Sequence, residues 1–392
     1  MRNKRKILML LTNAFRPDTR VKREAKVLAE QGQSVNIICW DRQVEYPSHE
    51  IIDGFQINRI HSVPSVYGAG WIQLRHLLKY WNEVIILAKE YKPDVIHCHD
   101  LDTLYAGVKL KKNLGCKLIY DAHENYPALM SLHLPKILVF LLTQWEKWLI
   151  KFVDTTITAS TVLRDEYLSQ GRTPVITLGN FQDMELFTNV KEEEIKAVRT
   201  KLGLSSGVIS IAYIGGFSRN RLLLPFIEAA TLLPEVRFHI WGDGHQRIDV
   251  KNAIDNHKNI FYHGWLSPND LPLYFKSMDI IYYCLRLDYP GAIYNAPNTL
   301  TQAMAAGRPI IANEVGDLGR MVRSSGCGVL LDEVNATTIA EAIQQLKDID
   351  IRQKIGKKGF QAAKNIYNSQ SINQQLIEIY DRLFSHLIIG RK

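Results

Sequence analysis

Short apolar runs alternate with longer helix-like segments along the whole 392-residue chain. The first half offers strands near 6–11, 35–40, 55–60, 94–99, 116–121, 155–159 and 174–178, with helical patterns between them near 20–31, 71–91, 103–113, 135–151 and 161–170. Strands that alternate with helices specify mostly parallel sheet with helices on its faces. The pattern weakens over 180–205, which reads as a connection with one short helix. A second series follows, with strands near 209–215, 236–241, 259–263, 279–284, 309–312 and 328–331 and helices near 221–232, 269–277, 298–306, 336–347 and 351–366. A last helix, about 371–387, carries Ile372, Leu376, Ile379, Tyr380 and Leu383 at helical spacing. The expectation is an α/β protein of two doubly wound domains, 1–190 and 191–368, followed by the helix-bearing segment 369–392.

Composition narrows the partners. A hydrophobic share of 46% with 22% charged residues excludes a disordered chain or a fibre. The formal net charge of +8 favours anionic partners such as phosphates, anionic lipid surfaces or nucleic acid. The dense basic run is Arg2, Lys4, Arg5 and Lys6, and no nucleic-acid-binding signature accompanies it, so nucleic acid is not expected. Five scattered cysteines without a CxxC pair argue against zinc or disulfides and suit a reducing cytoplasm. The apolar run Ile7–Leu11 reads as a buried first strand rather than a leader. No apolar stretch reaches the ~18 residues of a spanning helix.

Open α/β sheets bind ligands at the carboxyl ends of their strands. The first such loop carries Asn13, Arg16 and Arg20, which suit an anionic ligand or a solvated basic helix start. The fourth strand ends in His97, Cys98, His99 and Asp100, and the fifth in Asp121, Ala122, His123 and Glu124. Strand alternation puts His97 and His99 on one face. A metal site, an ordinary histidine pair and a polar wall that positions substrate all fit, and the wall is favoured because HxH lacks an HxHxDH or HExxH context.

In the second half, Gly215 and Gly216 let a backbone approach a ligand closely, and Ser218, Arg219 and Arg221 follow. Arginines there suit phosphate. Gly242, with Trp241 before it, and His263, Gly264 and Trp265 end the next two strands and form either a base-binding slot or plain turns. The strongest stretch runs from Tyr294 to Ala312. Asn298 or Thr299 is expected to cap a helix whose N-terminus can seat a diphosphate, and Gln302 lies one turn on, facing sugar hydroxyls.

These segments resemble retaining GT-B glycosyltransferases of family 4 over nearly the whole chain. Ile214–Ala229 is similar to the family's VGRLxxEKGxxxLIEA segment, Trp241–Gly244 to its GDG turn, Phe261–Leu271 to FxGxVsxxeL and Pro297–Ala312 to PNKLFEYMAxGxPVIA. The resemblance implies two Rossmann-like domains facing across a cleft. It puts the acceptor on the N-terminal domain, the nucleotide sugar on the C-terminal domain, and a last helix crossing back. Arg221 falls at the family's diphosphate lysine, Gln302 at the second Glu of E-x7-E, His99 at the donor-sugar histidine, and Asn180 at the Asn of NGVD. Two positions depart from the pattern: Tyr294 stands where the first Glu belongs, and Gly216 where the Arg of VGR belongs.

The implied activity is hexosyl transfer from a nucleotide sugar, with UDP the expected nucleotide, to a polysaccharide or lipid-linked saccharide. The implied course is retention with no metal and no cofactor. His99 and Arg221 are the expected catalytic groups, and Asn13, Arg16, Arg20, His123 and Glu124 the acceptor-side ones. The departures leave a catalytically silent scaffold partner open, and a sugar-nucleotide epimerase remains a further alternative. The stretch Leu134–Val153 mixes lysines and tryptophans with an apolar core, which suits either a core helix or peripheral contact with the inner face of the plasma membrane.

Overall fold

The computed structural model describes residues 4–385 except 17, 63, 65–70, 173 and 256, and the side chains of 71–73 also lie outside it. Arg2 and residues 386–387 of the expected last helix therefore lie outside the described residues. The chain divides into two compact units, Met1–Leu178 with Ile372–Lys392, and Gly179–Ser371.

The first unit runs β1 (Lys6–Leu11), α1 (Thr19–Glu30), β2 (Ser34–Trp40), β3 (His49–Ile52), β4 (Phe55–Ile60), α2 (Trp71–Tyr91), β5 (Val95–His99), α3 (Leu101–Leu114), β6 (Lys117–Ala122), α4 (Tyr126–Met130), α5 (Lys136–Ile150), β7 (Thr155–Thr158), α6 (Thr161–Ser169) and β8 (Val175–Thr177). Its sheet order is β3-β4-β2-β1-β5-β6-β7-β8. Central strands such as Ile7–Leu11 are buried along their length, as expected of a parallel sheet covered on both faces. The order reverses between β1 and β5, which opens a crevice at their carboxyl ends.

The unpredicted strand β3 pairs antiparallel with β4. Asp53 and Gly54 join the two with φ of 47° and 86°. Asp-Gly with both φ positive is a hairpin-turn signal that the sequence displayed.

The second unit runs α7 (Met184–Thr188), α8 (Glu192–Lys201), β9 (Ser210–Ile214), α9 (Leu223–Leu232), β10 (Arg237–Trp241), α10 (Arg247–Ile254), β11 (Ile260–Gly264), α11 (Leu271–Ser277), β12 (Ile280–Tyr283), α12 (Asn298–Ala305), β13 (Ile310–Asn313), α13 (Gly316–Ser325), β14 (Gly328–Leu331), α14 (Ala336–Gln345) and α15 (Ile349–Asn365). Its sheet is parallel throughout, in the order β11-β10-β9-β12-β13-β14, and reverses between β9 and β12.

The short helix expected within 180–205 is α8, and Glu192, Glu193 and Glu194 form its first turn. Carboxylates are stabilised there by the positive end of the helix dipole. The second unit begins at Gly179 rather than at 191, because the Asn180 carbonyl and the Gln182 amide hydrogen-bond to Thr301 on α12. The last helix, α16 (Ser369–Ser385), belongs from Ile372 onward to the first unit, where the Arg5 guanidinium lies 3.3 Å over the Phe384 ring.

Candidate functional site

Strands β5 and β6 pair in parallel register with His99 opposite Asp121, so the two polar strand ends meet at one sheet edge. The His97 and His99 rings stack with centroids 4.4 Å apart. His97 is wholly buried and its Nδ1 lies 2.9 Å from the Tyr380 hydroxyl of α16. His99 is 2% exposed, and its Nδ1 lies 3.2 Å from His123 Nε2. His99, the residue expected at the donor sugar, is the more buried of the two, and His123 keeps 21% of its side chain exposed.

The His123 ring sits between two carboxylates. Its Nε2 is 3.4 Å from Asp121 Oδ2 and its Nδ1 is 3.6 Å from Asp100 Oδ2. Burial pushes the imidazole pKa down, but Asp100 and Asp121 outweigh it and raise it to about 9. His123 is therefore an imidazolium at neutral pH. Its Nδ1–H is too far from Asp100 for a good hydrogen bond and can donate to a ligand oxygen.

Arg20 was expected to face an anionic ligand, and the structure corrects this. Its side chain is only 7% exposed, donates from Nη2 to Asp121 at 2.9 Å, from Nη1 to the Leu178 carbonyl at 2.6 Å, and lies 3.2 Å from Glu24 through Nε. Helix α1 places Arg20 and Glu24 one turn apart on its buried face, because Val21, Ala25 and Leu28 turn the same side inward.

Glu24, His97, His99 and Asp121 each bring one ligand atom within 4.8 Å of the others. Such a donor set suits zinc in isolation. Here the Arg20 guanidinium already pairs with both carboxylates and supplies the cation that they require. Burial pushes the Asp121 carboxyl up, but Arg20 and His123 overcome it and hold Asp121 well below the usual range.

The remaining acceptor-side residues tie down their own loop. Asn13 accepts from the Phe15 N–H at 2.7 Å and donates to Asp18 at 3.0 Å. Arg16 pairs with Glu50. Glu124 is exposed just beyond His123.

In the second unit, three strand ends are stitched together. The Gly215 N–H donates to the Trp241 carbonyl at 3.1 Å, and the Gly242 N–H donates to the Gly264 carbonyl at 2.8 Å. Gly242 has φ 148°, and a Cβ there would lie 1.9 Å from the Gly215 oxygen, so only glycine fits. A Cβ at the exposed Gly216 would meet nothing within 4 Å, which leaves room above the turn.

Arg221 lies beside this turn with its guanidinium 4.7 Å over the Tyr283 ring. Its Nε and Nη1 are buried and have no hydrogen-bond partner. Among the described residues no carboxylate forms an ion pair with it. The Tyr283 hydroxyl donates to Asn295 at 3.3 Å, just before α12.

Neither Asn298 nor Thr299 caps α12, contrary to expectation. Pro297 occupies the cap position, and no side chain caps the helix. The Thr299 hydroxyl turns back to the Ile214 carbonyl at 3.3 Å, and Asn298 is exposed on the first turn. The first turn of α12 thus touches the Gly215 turn through Thr299, and Tyr213, beside Arg221, bonds to the Gly216 carbonyl.

Ser218 donates to Asn220 at 2.8 Å and fixes the loop, whereas Arg219 is exposed and takes no part in these bonds. Tyr294 and Gln302 are half-buried on the segments before and within α12. His263 stacks on Trp241 with centroids 4.3 Å apart, and its Nε2 lies 2.9 Å from His239 Nδ1. Burial and then Lys201 lower His263 to about 4, while burial and then His263 lower His239 to about 3. His263 therefore offers ring surface rather than charge. Trp265, at the end of β11, is 70% exposed.

The sequence reading missed Tyr213, Tyr283 and Asn295: Tyr283 lies under the Arg221 guanidinium and bonds to Asn295, and Tyr213 donates to the Gly216 carbonyl. The first two lie in buried strands and read only as core, so no signal marked them.

Two parallel-sheet units with loops of this kind define the GT-B class. The family model for Glycosyltransferase Family 4 matches residues 18–186, and that for Glycosyl transferases group 1 matches residues 209–348. The chain belongs to the family-4-type GT-B glycosyltransferases.

Among its relatives is the alpha-monoglucosyldiacylglycerol synthase of Streptococcus pneumoniae, 24% identical over 300 residues. That match covers 71% of this chain and 64% of the relative, so the chain spans less than two thirds of that relative's length. Sucrose-phosphate synthase from Thermosynechococcus elongatus superposes with a TM-score of 0.80 at 18% identity, covering 97% of this chain and all of the other. Anabaena HepE in complex with UDP-glucose gives 0.74 at 17% identity, covering 96% and 100%.

Proposed function

We propose that the chain transfers a hexose from a UDP-sugar to a glycan or lipid-linked acceptor, with retention of anomeric configuration and without a metal ion. The observation that carries this reading is Arg221, a guanidinium with buried donors unpaired beside an uncapped helix N-terminus and a glycine turn. An arginine fork and free helix N–H groups are the complement of a diphosphate. The choice of UDP is supported by the UDP and UDP-glucose bound to HepE, and the lipid acceptor by the activity in the name of the streptococcal relative.

The difficult step is departure of the nucleoside diphosphate. The bond between the anomeric carbon and the phosphate oxygen breaks, and one to the acceptor oxygen forms on the same face. The acceptor's hydroxyl proton passes to the departing phosphate oxygen. Arg221 and the N–H groups at the start of α12 stabilise the charge that develops there. Gln302, one turn along α12 from Asn298, accepts from ribose hydroxyls as a neutral amide. The first unit takes the acceptor, and His123 presents a cationic N–H to an acceptor oxygen. The test is turnover of a UDP-sugar panel onto diacylglycerol and glycan acceptors with EDTA present. The expected product keeps the donor's anomeric configuration, and an inverted product or a strict metal requirement would contradict the reading.

The protein also docks on anionic membranes through α5. Ile137, Phe140 and Leu141 are 64%, 57% and 54% exposed, with the exposed Lys136 at the start of the helix and Lys151 at its end. Exposed Leu74, Leu78 and Ile86 lie on α2, whose Trp81 ring packs 6.1 Å from Trp145 of α5. Apolar side chains with flanking lysines suit a headgroup boundary. Among the described residues no helix is long and apolar enough to cross a membrane. Flotation with phosphatidylglycerol vesicles should carry the protein upward at low salt, less so at high salt, and not in the Phe140→Asp variant. Wild-type protein that stays at the bottom at low salt would sink this assignment.

A further inference from the structure

Asp100 holds a backbone conformation that side chains almost never adopt. Its φ of 63° and ψ of 166° fall in a region that is essentially glycine's own. Strain of this kind persists only where surrounding structure imposes it, and it gathers at functional sites.

The ordinary role for an aspartate at this point is to cap the following helix, α3. Asp100 does not: its side chain makes no capping bond. Its carboxylate turns the other way instead. Oδ1 accepts from the His123 main-chain N–H at 3.0 Å, and Oδ2 lies 3.6 Å from His123 Nδ1. Its own N–H donates to the Asp121 carbonyl at 2.9 Å, which anchors the turn to β6. A glycine would fit the backbone without strain but would leave His123 with neither contact.

We infer that Asp100 is a positioning residue for His123, kept in a strained conformation because its carboxylate fixes the His123 main chain and faces the ring. The inference rests on the reading that His123 meets the acceptor. The groups facing His123 are Asp100 from the turn after β5, His99 on β5 and Asp121 on β6, with Arg20 of α1 acting through its pairing with Asp121. Two anions flank the ring, and one cation opposes them from behind. Removing the Asp100 charge leaves Asp121, already neutralised in part by Arg20, as the sole carboxylate beside the ring. The proton on His123 is then held less tightly, because Asp100 is one of the two carboxylates that raise its pKa.

The test uses the full-length protein with ring-labelled histidine. The His123 signal is assigned by its loss in His123→Asn, and its pKa is followed by NMR in wild type, Asp100→Asn and Asp100→Gly. Both variants should lower the His123 pKa by about one unit or more from its value near 9. The alkaline limb of kcat/KM should move down by the same amount. Asp100→Gly suits this backbone and should unfold at a denaturant midpoint no lower than that of Asp100→Asn, which separates positioning from a structural role. A His123 pKa that stays at its wild-type value in both variants overturns the inference. A pKa that falls while the kinetic limb stays in place removes His123 from the reaction, and the role of Asp100 falls with that parent reading.

Discussion

Arg221→Ala should lower kcat by about 10²–10³-fold, the cost of losing one donor aimed at developing charge. A buried guanidinium normally has its N–H groups satisfied, because an unmade hydrogen bond in a dry site costs free energy. Two of the Arg221 donors are not satisfied, and among the described residues no carboxylate pairs with it. Apart from its stacking on Tyr283, the fold therefore draws little on these two donors, while an anionic ligand gains much.

The variant should be about as stable as wild type, because the truncation removes an unpaired charge rather than breaking a pair. UDP affinity should fall at least about tenfold, the worth of a charge-assisted bond. Arg221→Lys should retain part of the activity, since it keeps the charge and loses only the fork. Wild-type turnover in Arg221→Ala would displace the diphosphate from this position.

Arg20→Ala should destabilise the protein by about 3–5 kcal/mol, the cost of taking the nearest cation from two buried carboxylates. That is a large part of the ~5–15 kcal/mol that holds a typical domain together. Asp121 is wholly buried, Glu24 likewise, and Arg20 pairs with both, closer than Arg23 stands to Glu24 or His123 to Asp121. The pH dependence carries a definite sign. The folded-state pKa of Asp121 is depressed, so its stabilising contribution is present above the unfolded value near 3.8 and is lost as pH falls toward the folded value. In Arg20→Ala the abandoned carboxylates can protonate to relieve themselves, so the gap between variant and wild type narrows as pH drops. His123 acts in the opposite sense. Its raised pKa stabilises the fold fully below pH 6.5, and that contribution fades as pH climbs toward about 9. Urea unfolding of both proteins across this range checks these signs, and an Arg20→Ala midpoint equal to wild type at neutral pH would contradict the network.

Much of this was legible in the sequence because parallel strands announce themselves. A strand buried on both faces must be apolar along its length, and runs such as Ile7–Leu11 have no other plausible fate. Helix α13 was missed because Gly316 and Gly319 weaken its propensity and charges interrupt its pattern. Tertiary contact decides there: a Cβ at Gly316 would lie 2.0 Å from the Ile293 carbonyl oxygen, so the residue is glycine for packing reasons that a local window does not reveal.

The candidate sites were legible in location and less so in role. Strand-end position correctly gathered His97, His99, Asp121 and His123. Burial then sorted them in a way that spacing does not. His99 and His123 look alike as strand-end histidines, yet one stands behind the other, and only His123 lies between two carboxylates. Arg20 and Arg16 both look like anion-binding arginines in a basic loop. The first lies on the inward face of α1, set by Val21 and Ala25 around it, and the second remains exposed beside Glu50.

The most direct test of the account is calorimetric titration of the purified protein with UDP, GDP and ADP, each in EDTA, repeated on Arg221→Ala. UDP should bind wild-type protein in preference to the other two without metal, and the heat of binding should be lost or greatly weakened in the variant. Absence of binding by all three nucleotides, or equal binding of UDP by wild type and Arg221→Ala, would contradict the assignment of the donor site to the Gly215 turn, Arg221 and the α12 N-terminus.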